Sequence, residues 1–246
     1  MKGMHTELDI VTHKLTKQFN EGCTRYGLLK DNDKILIGLS GGKDSMALLT
    51  LMANRSRIFK PKIEIEAVHV VMDNIPYCSD IEYLAEFAEK CGCKLNIIHT
   101  SFDETTDTRK TKCFLCSWNR RKAMFNFAEK NGFNKIALGH HQDDIITTLL
   151  MNMTFEGAMA AMPPSMEMEH YNLTIIRPLC LTKEDMIRDF AEKSCFRKQK
   201  KLCPYENITK RKAMEEIFRR LEDLNPEARY NLWKSMSNIQ KERLPG

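Results

Sequence analysis

Three short stretches of this sequence combine residue types that could do chemistry. The first is SGGKDS at residues 40–45, which joins two adjacent glycines to two hydroxyl groups, a lysine and a carboxylate. The second is CFLC at residues 113–116, in which two other residues separate two thiols. The third is GHHQDD at residues 139–144, which ends in two adjacent carboxylates. Glycine turns bind phosphates, paired thiols bind metals and carboxylates bind Mg²⁺, so the combination predicts nucleotide chemistry assisted by metal ions.

The SGGKDS stretch follows the apolar run KILIG at residues 34–38 and precedes a helical pattern. The first strand-to-helix turn of a parallel sheet is a common phosphate site, because backbone N–H groups and the helix dipole attract an anion there. The stretch does not match the widespread phosphate loop G-x-x-x-x-G-K-[ST]. Asp44 would repel phosphates unless Mg²⁺ lay between them, so its presence in the turn predicts a magnesium–nucleotide complex.

The chain has nine cysteines, an odd number that favours reduced or metal-bound thiols over a disulfide framework in a protein of this length. Cys113 and Cys116, at the start of a predicted helix, could hold zinc, an iron–sulfur cluster or a redox disulfide. Cys203 lies in LCPYE, within a basic segment. Three cysteines would leave one iron of a 4Fe-4S cluster without a protein ligand and open to an exogenous ligand such as sulfide.

The GHHQDD stretch comes directly after the short apolar run KIAL. Gly139 would let a nucleotide approach the backbone closely, and His140 and His141 could orient a substrate. Asp143 and Asp144, at the start of a helix, could bind Mg²⁺ or cap the helix. The local sequence leaves both roles open for the two carboxylates.

Alternating apolar patterns indicate which elements hold these stretches. From residue 34 onward, five short β-rich runs each precede a helical pattern, beginning with KILIGL and KDSMALLTLMAN. Such strand-then-helix repeats predict an α/β fold with a doubly wound, mainly parallel five-stranded sheet. Thr182 and Asp185 form a capping-box pattern, which predicts the start of the last helix in the series. Residues 151–170 have no such periodicity and are predicted to form an irregular loop that could cover a site.

We expect three regions along the chain. Residues 1–30 are predicted to form a helical segment, residues 31–195 the nucleotide-binding α/β domain, and residues 196–246 a basic helical region. Two helical patterns in the last region, at about 209–224 and 226–238, predict a short appendage to the sheet.

Composition and charge narrow the range of partners. The chain is 42% hydrophobic and 29% charged, and it has no apolar run long enough to span a membrane. Its polar start lacks a secretory signal, so a cytoplasmic protein is expected. Residues 182–246 hold 16 Lys+Arg against 11 Asp+Glu, whereas the remaining chain has 22 of each. The C-terminal excess suits a polyanion partner or is simply a solvated basic surface.

The SGGKDS stretch closely resembles the SGGxDS signature of the PP-loop ATP pyrophosphatases. In order along the chain, SGGKDS, CFLCSWNRR, GHHQDD, AMPP, IRPL and CPYE are similar to segments of the TtcA-like family of tRNA 2-thiocytidine synthetases. The resemblance runs from about residue 33 to the C-terminus. It implies that ATP adenylates O2 of the cytosine at tRNA position 32 in the anticodon loop, and that sulfur delivered through an iron–sulfur cluster then displaces AMP.

The resemblance also implies roles for individual residues. Nucleotide binding is expected of Ser40, Gly41, Gly42, Lys43, Asp44, Ser45, His69, Val70, Gly139 and Asp144. Catalytic roles are expected of Asp44, Asp143 and Asp144, with Mg²⁺ on Asp44, and of Cys113, Cys116 and Cys203 as cluster ligands. RNA contacts are expected of Arg120, Arg121, Arg177, Lys200, Lys201, Lys210 and Arg211. The implied cofactors are ATP, Mg²⁺ and a 4Fe-4S cluster, and the implied partners are tRNA and a sulfur donor such as a cysteine desulfurase, with a homodimer left open.

Other interpretations remain open from the sequence. A PP-loop thiolase could act on another tRNA nucleotide, although the chain lacks the paired C-x-x-C modules of the two-zinc-finger thiolation enzymes. A lysidine-forming synthetase would need neither the C-x-x-C pair nor a cluster. A non-catalytic iron–sulfur protein that binds RNA or acts as a sensor would have no evident need for the carboxylates of Asp44, Asp143 and Asp144.

Overall fold

The computed structural model describes residues 6–75, 79–103, 111–197 and 210–243. Lys200, Lys201 and Cys203 lie outside the described residues. The chain divides into two compact units, the first formed by residues 1–141 and 164–205 and the second by residues 142–163 and 206–246. The three predicted regions stay a prediction; in the division into compact units, residues 142–163 group with the C-terminal helices.

The first unit contains a six-stranded sheet. Its strands are β1 (Asp33–Gly38), β2 (Ile63–Met72), β3 (Lys94–Thr100), β4 (Lys135–Ala137), β5 (Ser165–Glu167) and β6 (Thr174–Ile176). Their order across the sheet is β3-β2-β1-β4-β6-β5. All neighbouring strands are parallel except β5 and β6, which are antiparallel.

Among the residues that the structure describes, eight α-helices accompany the strands. They are α1 (Glu7–Arg25), α2 (Lys43–Ser56), α3 (Ile81–Lys90), α4 (Lys112–Lys130), α5 (Gln142–Met151), α6 (Glu184–Lys193), α7 (Lys210–Leu224) and α8 (Ala228–Ser235). Helices α5, α7 and α8 belong to the second unit and the other five to the first. Over the described ranges, no helix is both long enough and apolar enough to cross a membrane.

The predicted α/β fold with a mainly parallel sheet is confirmed. The five predicted strands are β1, β2, β3, β4 and β6. The irregular loop predicted for residues 151–170 is wrong in part, since Asn152–Glu156 forms a π-helix and Ser165–Glu167 forms β5. Strand β5 is only three residues long and gains its backbone hydrogen bonds from β6, so its own sequence carries too few positions to display a strand pattern.

Side chains of β1 alternate between two apolar layers, because successive residues of a strand point to opposite faces of the sheet. Ile35 and Ile37 pack in one core cluster with residues of α1, α2, α3 and α6. Leu36 packs in a second cluster with Met124 and Phe125 of α4. All three β1 side chains are fully buried, as expected for a parallel strand covered on both faces.

The capping-box prediction for α6 is wrong. The N-cap residue is Lys183, and its side chain makes no capping hydrogen bond. Thr182 is instead fully buried, and its backbone N–H donates to the Leu179 carbonyl in a turn. The turn that follows β6 therefore directs the threonine hydroxyl inward, away from the helix start that the local pattern had assigned to it.

A buried polar network joins β1 to β4 at their amino ends. The Lys135 ammonium donates to the Asp33 carboxylate at 2.7 Å and to the Leu28 carbonyl at 2.8 Å. The side-chain amide of Asn134 donates to the other Asp33 carboxylate oxygen at 2.8 Å, and the side-chain carbonyl of Asn134 accepts the Lys34 backbone N–H. The Asp33 and Lys135 side chains are only 3% and 8% exposed, so each charge depends on the other to offset its loss of water.

We expect Lys135→Met to destabilise the first unit by about 3 kcal/mol, because it leaves the Asp33 carboxylate buried without its cation. Urea unfolding followed by circular dichroism measures this free energy. Lys94→Met is the matched control, since Lys94 pairs with Glu66 at 3.2 Å but is 68% exposed, and it should cost less than about 1 kcal/mol. Equal losses of unfolding free energy in the two variants would show that the buried ion pair stabilises the protein no more than the exposed ion pair does.

Candidate nucleotide and metal site

The SGGKDS turn links the end of β1 to the start of α2. The Ser45 hydroxyl donates to the Gly42 carbonyl at 2.9 Å and accepts the Ser40 backbone N–H at 3.2 Å, which closes the turn. Gly41 has a φ of 83°, a left-handed conformation that disfavours other residues. The N-cap residue of α2 is Gly42, which has no side chain to accept the first N–H groups of the helix. This helix start therefore presents backbone donors to an anion, as the phosphate prediction requires.

Gly139 follows β4 and lies against the same turn. A Cβ atom at this position would come within 3.0 Å of the carbonyl carbon and oxygen of Asp44 and within 3.1 Å of the Ser45 nitrogen. Both neighbours are backbone, so they could not move aside as a flexible side chain could. Glycine is thus required because it lets the segment after β4 touch the phosphate turn directly.

Lys43 and Asp44 form a small charged group at the start of α2. The Lys43 ammonium lies 3.2 Å from the Asp44 carboxylate and 3.0 Å from that of Glu184 in the first turn of α6. Burial alone would lower the pKa of Lys43, but the two carboxylates raise it above its ordinary value, so the lysine stays charged. His141 contributes its Nε2 atom 3.8 Å from Asp44 Oδ1. The side chains of Lys43 and Asp44 are each about one-third exposed, which leaves them accessible to a ligand.

His69 supports the turn from the neighbouring strand β2. Its side chain is buried, and its Nδ1 atom lies 2.7 Å from the carbonyl oxygen of Leu39, the residue before the turn. Burial lowers the pKa of His69, the hydrogen bond to Leu39 opposes this shift, and the charge of Arg120 lowers the pKa further. A neutral ring that donates from Nδ1 to the carbonyl explains this geometry. The nucleotide binding predicted for His69, and for the half-buried Val70 beside it, stays a prediction.

Cys113 and Cys116 lie in the first turns of α4, one exposed and one half-buried. Cys116 packs with Leu115 against a small apolar cluster that includes Met72 at the end of β2 and Phe102 shortly after β3. Both strand ends lie at the carboxyl edge of the sheet, where ligands bind in open parallel folds. The two thiols are thus positioned at the edge predicted for the site.

The structure describes two of the three predicted cluster ligands, Cys113 and Cys116, because Cys203 lies outside the described residues. Among the described residues, no group of three His, Cys, Asp or Glu side chains is close enough to hold a metal ion. Three other thiols are inside the protein, where burial raises the pKa of Cys23, Cys93 and Cys180 to about 12. These thiols stay protonated at neutral pH and are poor metal ligands.

The carboxylates of Asp143 and Asp144 belong to the second unit, where each is paired with an arginine. Arg229 of α8 donates to Asp143 at 2.7 Å and also contacts Glu222 of α7. Burial would lower the pKa of Arg229, but these two carboxylates raise it well above its ordinary value. Arg211 of α7 lies 2.5 Å from Asp144. The magnesium and nucleotide roles predicted for these aspartates stay predictions.

The residues predicted to contact RNA differ in exposure. Arg121 is exposed and Arg120 is half-buried on α4. Arg177 is only 5% exposed, and burial lowers the pKa of its guanidinium group, so this side chain lies inside the first unit. Lys210 packs over the ring of Phe155 at 4.9 Å, within the second unit. The RNA contacts predicted for these residues, and for Arg211, stay predictions.

The sequence reasoning missed two long-range ion-pair partners of predicted site residues. Glu184 binds Lys43 from a position 141 residues away, and Arg229 binds Asp143 from 86 residues away. Neither belongs to a motif, and an ion pair across such a separation leaves no local pattern. The acidic first turn of α6 was visible in the sequence, but nothing in it indicated which lysine it would meet.

We expect Gly139→Ala to lower the melting temperature and to weaken ATP binding together, because its Cβ would displace the backbone of the turn at a cost of about 1–3 kcal/mol. Gly42→Ala is the comparison variant. A Cβ atom at this position would lie within 4 Å of Ser40 Oγ alone, at 3.5 Å, so the free energy of unfolding should change by less than about 1 kcal/mol. The affinity for ATP should fall. Differential scanning fluorimetry and calorimetric titration with Mg·ATP measure both effects. Unchanged ATP affinity in Gly42→Ala would contradict the phosphate site.

We expect His69 to make stability depend on acid pH. Its folded pKa lies below the ordinary 6.5, so the unfolded chain takes up a proton that the folded protein resists. The stability contribution is therefore present above about pH 6.5 and is lost as the pH falls from there toward the folded pKa, by at most about 1.4 kcal/mol per pH unit. Between pH 7.5 and pH 5, the melting temperature of His69→Gln should fall less steeply than that of the wild type. His13→Gln, at an exposed position on α1, should behave like the wild type. Identical pH profiles for all three proteins would contradict this assignment.

Comparisons with known proteins show the family of this chain. A family model described as the PP-loop domain matches residues 8–201. A tRNA-cytidine(32) 2-sulfurtransferase of Bdellovibrio bacteriovorus is 32% identical over 94% of this chain and 90% of that protein, and one of Geotalea daltonii is 30% identical over 96% and 95%. Among solved structures, the U34-tRNA thiolase NcsA from Methanococcus maripaludis with its [4Fe-4S] cluster has a TM-score of 0.76 and 24% identity, covering 97% of this chain and 81% of that chain. The structural likeness shows the fold, and the sequence matches show that the chain belongs to the PP-loop family, within the group of the tRNA-cytidine(32) 2-sulfurtransferases.

Proposed function

We propose that this protein is an ATP-dependent tRNA sulfurtransferase that adenylates O2 of the cytidine at tRNA position 32 and replaces that oxygen with sulfur. The names of its relatives support tRNA as the substrate. The observation that carries the proposal is the SGGKDS turn, with a carboxylate beside a helix start that has no side-chain cap. We place the reaction in the cytoplasm, where ATP and tRNA are available.

The first step activates an unreactive group. The C2 carbonyl of cytosine is amide-like and resists attack by sulfide. Attack of O2 on the α-phosphorus of ATP forms an adenylated base and releases pyrophosphate. Donors at the start of α2, together with the charged Lys43 ammonium, would stabilise the negative charge that develops on the departing pyrophosphate. Sulfur then replaces O2, and the oxygen leaves with AMP.

Asp44 is suited to Mg²⁺. Its carboxylate is 30% exposed in the turn, and Lys43 and His141 are its neighbours. A bound Mg²⁺ would neutralise charge shared by this carboxylate and the phosphates. Asp143 and Asp144 are each paired with an arginine, so a direct metal contact by either would require an exchange of partners.

The donor set of α4 suits an iron–sulfur cluster in part. Cys113 and Cys116 lie one helical turn apart, and Cys203 would complete a set of three thiol ligands. A 4Fe-4S cluster held by these three thiols would supply an iron that can bind an exogenous sulfur ligand. The packing of Cys116 against the apolar cluster of Met72, Ile75 and Phe102 would exclude water from one side of such a group. A separate sulfur donor, such as a cysteine desulfurase, completes the proposed system.

Nucleoside mass spectrometry of tRNA from the source organism, with and without this gene, tests the proposal. We expect 2-thiocytidine to disappear on deletion and to return with the wild-type gene. Cys113→Ser, Cys116→Ser and Cys203→Ser should each fail to restore it. Cys93→Ser, at a buried position in the first unit, is the control and should restore 2-thiocytidine.

Three outcomes would change the proposal. If 2-thiocytidine remained and another thionucleoside disappeared, the reaction class would stand and the target nucleotide would be wrong. Normal thiolation by Cys203→Ser would exclude that thiol as a ligand. If no thionucleoside changed and the purified protein released no AMP from ATP with tRNA, the non-catalytic iron–sulfur interpretation would replace the enzyme.

A further inference from the structure

Helix α4 exposes two aromatic side chains next to its thiol pair. Phe114 is 44% exposed and Trp118 is 47% exposed. They are four residues apart, so they lie one above the other on the same helix face. Neither belongs to the buried cluster to which α4 contributes Met124, Phe125 and Ala128 further along the helix. Adjacent exposed aromatics of this kind mark a binding surface more often than single exposed residues do.

The charged side chains that α4 itself places beside these rings are positive. Lys122, one further turn along, lies with its ammonium 4.9 Å from the centroid of the Trp118 ring. Arg121 is exposed beside it and is steadied by hydrogen bonds to Ser117. From its start, α4 has no acidic residue before Glu129. An exposed aromatic pair with cations on the next turn of the same helix is complementary to a partner that carries both flat rings and negative charge.

The first turns of α4 are also tied to the candidate site. The charge of Arg120 acts on His69, whose ring holds the Leu39 carbonyl just before the SGGKDS turn. Cys116, between the two aromatics in sequence, packs at the carboxyl ends of β2 and β3. All of these residues lie in the first unit. A partner that stacked on Phe114 and Trp118 would therefore be held at the same sheet edge as the phosphate turn.

We propose that Phe114 and Trp118 form a stacking platform for unpaired bases of the RNA substrate, with Arg121 and Lys122 contacting its phosphates. The inference rests on the proposed function for the identity of that RNA as the anticodon loop of tRNA. Unpaired bases stack readily on aromatic side chains, whereas bases inside a duplex do not expose their faces. The cations that α4 places beside the rings favour RNA over a protein partner, because RNA offers phosphates together with unpaired bases.

Tryptophan fluorescence tests the platform without reference to catalysis. The chain has two tryptophans, so Trp233→Phe leaves Trp118 as the single indole. Titration of this full-length variant with a single-stranded seven-nucleotide RNA of anticodon-loop sequence should quench its emission to saturation. The same RNA in a duplex should quench it at least tenfold less at equal concentration. Equal quenching by both RNAs would overturn the proposal.

Substitution separates stacking from general attraction to RNA. Trp118→Leu should weaken binding of a tRNA anticodon stem-loop roughly 5- to 100-fold, whereas Trp118→Phe should recover most of the affinity. Phe59→Leu is the matched control, since Phe59 is 81% exposed but follows α2, at the opposite edge of the sheet from the candidate site, and it should bind like the wild type. Equal affinity for Trp118→Leu and Trp118→Phe would overturn the platform.

The result is distinguishable from a failure of the proposed function. If the wild type thiolates tRNA while Trp118→Leu binds the stem-loop with unchanged affinity, the platform is wrong and the function stands. If the wild type produces no 2-thiocytidine but single-stranded RNA still quenches Trp118 and duplex RNA does not, the platform stands and the proposed reaction is wrong.

Discussion

The pairing of β1 with β4 is the constraint on which the rest of the first unit depends. At the amino ends of these strands, the buried ion pair between Lys135 and Asp33 joins them. At the carboxyl ends, the absence of a side chain at Gly139 lets the chain after β4 touch the carbonyl of Asp44. One strand pair is thus fixed at both ends, by charge at one and by close backbone contact at the other, and this fixes where the phosphate turn can form.

A second set of contacts extends outward from this strand pair. His69 connects β2 to the residue before the turn, and Arg120 of α4 lies close enough to influence its protonation. Within the first unit, α4 packs on the opposite sheet face from α1, α2, α3 and α6. The thiols at the start of α4 are therefore positioned by the same packing that holds the sheet together.

Much of the fold could be predicted from the sequence because its signals are local. Five strands appear as apolar runs followed by helical patterns, and the glycines and hydroxyls of the turn lie within six residues. What was missed depends on contacts between distant positions. β5 is too short to show periodicity, the Lys43–Glu184 and Asp143–Arg229 pairs join separate elements, and the burial of Arg177 depends on how β6 ends. The site residues were thus predictable by type, whereas their partners required the three-dimensional structure.

The buried cysteines have a practical consequence for handling the protein. With thiol pKa values of about 12, Cys23, Cys93 and Cys180 are ionised in only roughly one molecule in 10⁵ at pH 7. Alkylating reagents and oxidants react with the thiolate, so these positions are chemically silent under ordinary conditions. Cys113, in contrast, is exposed to solvent. After a short alkylation, peptide mapping can therefore follow the reaction of the thiols on α4 while the buried thiols of the core stay unmodified. No natural cysteine has to be removed for this measurement.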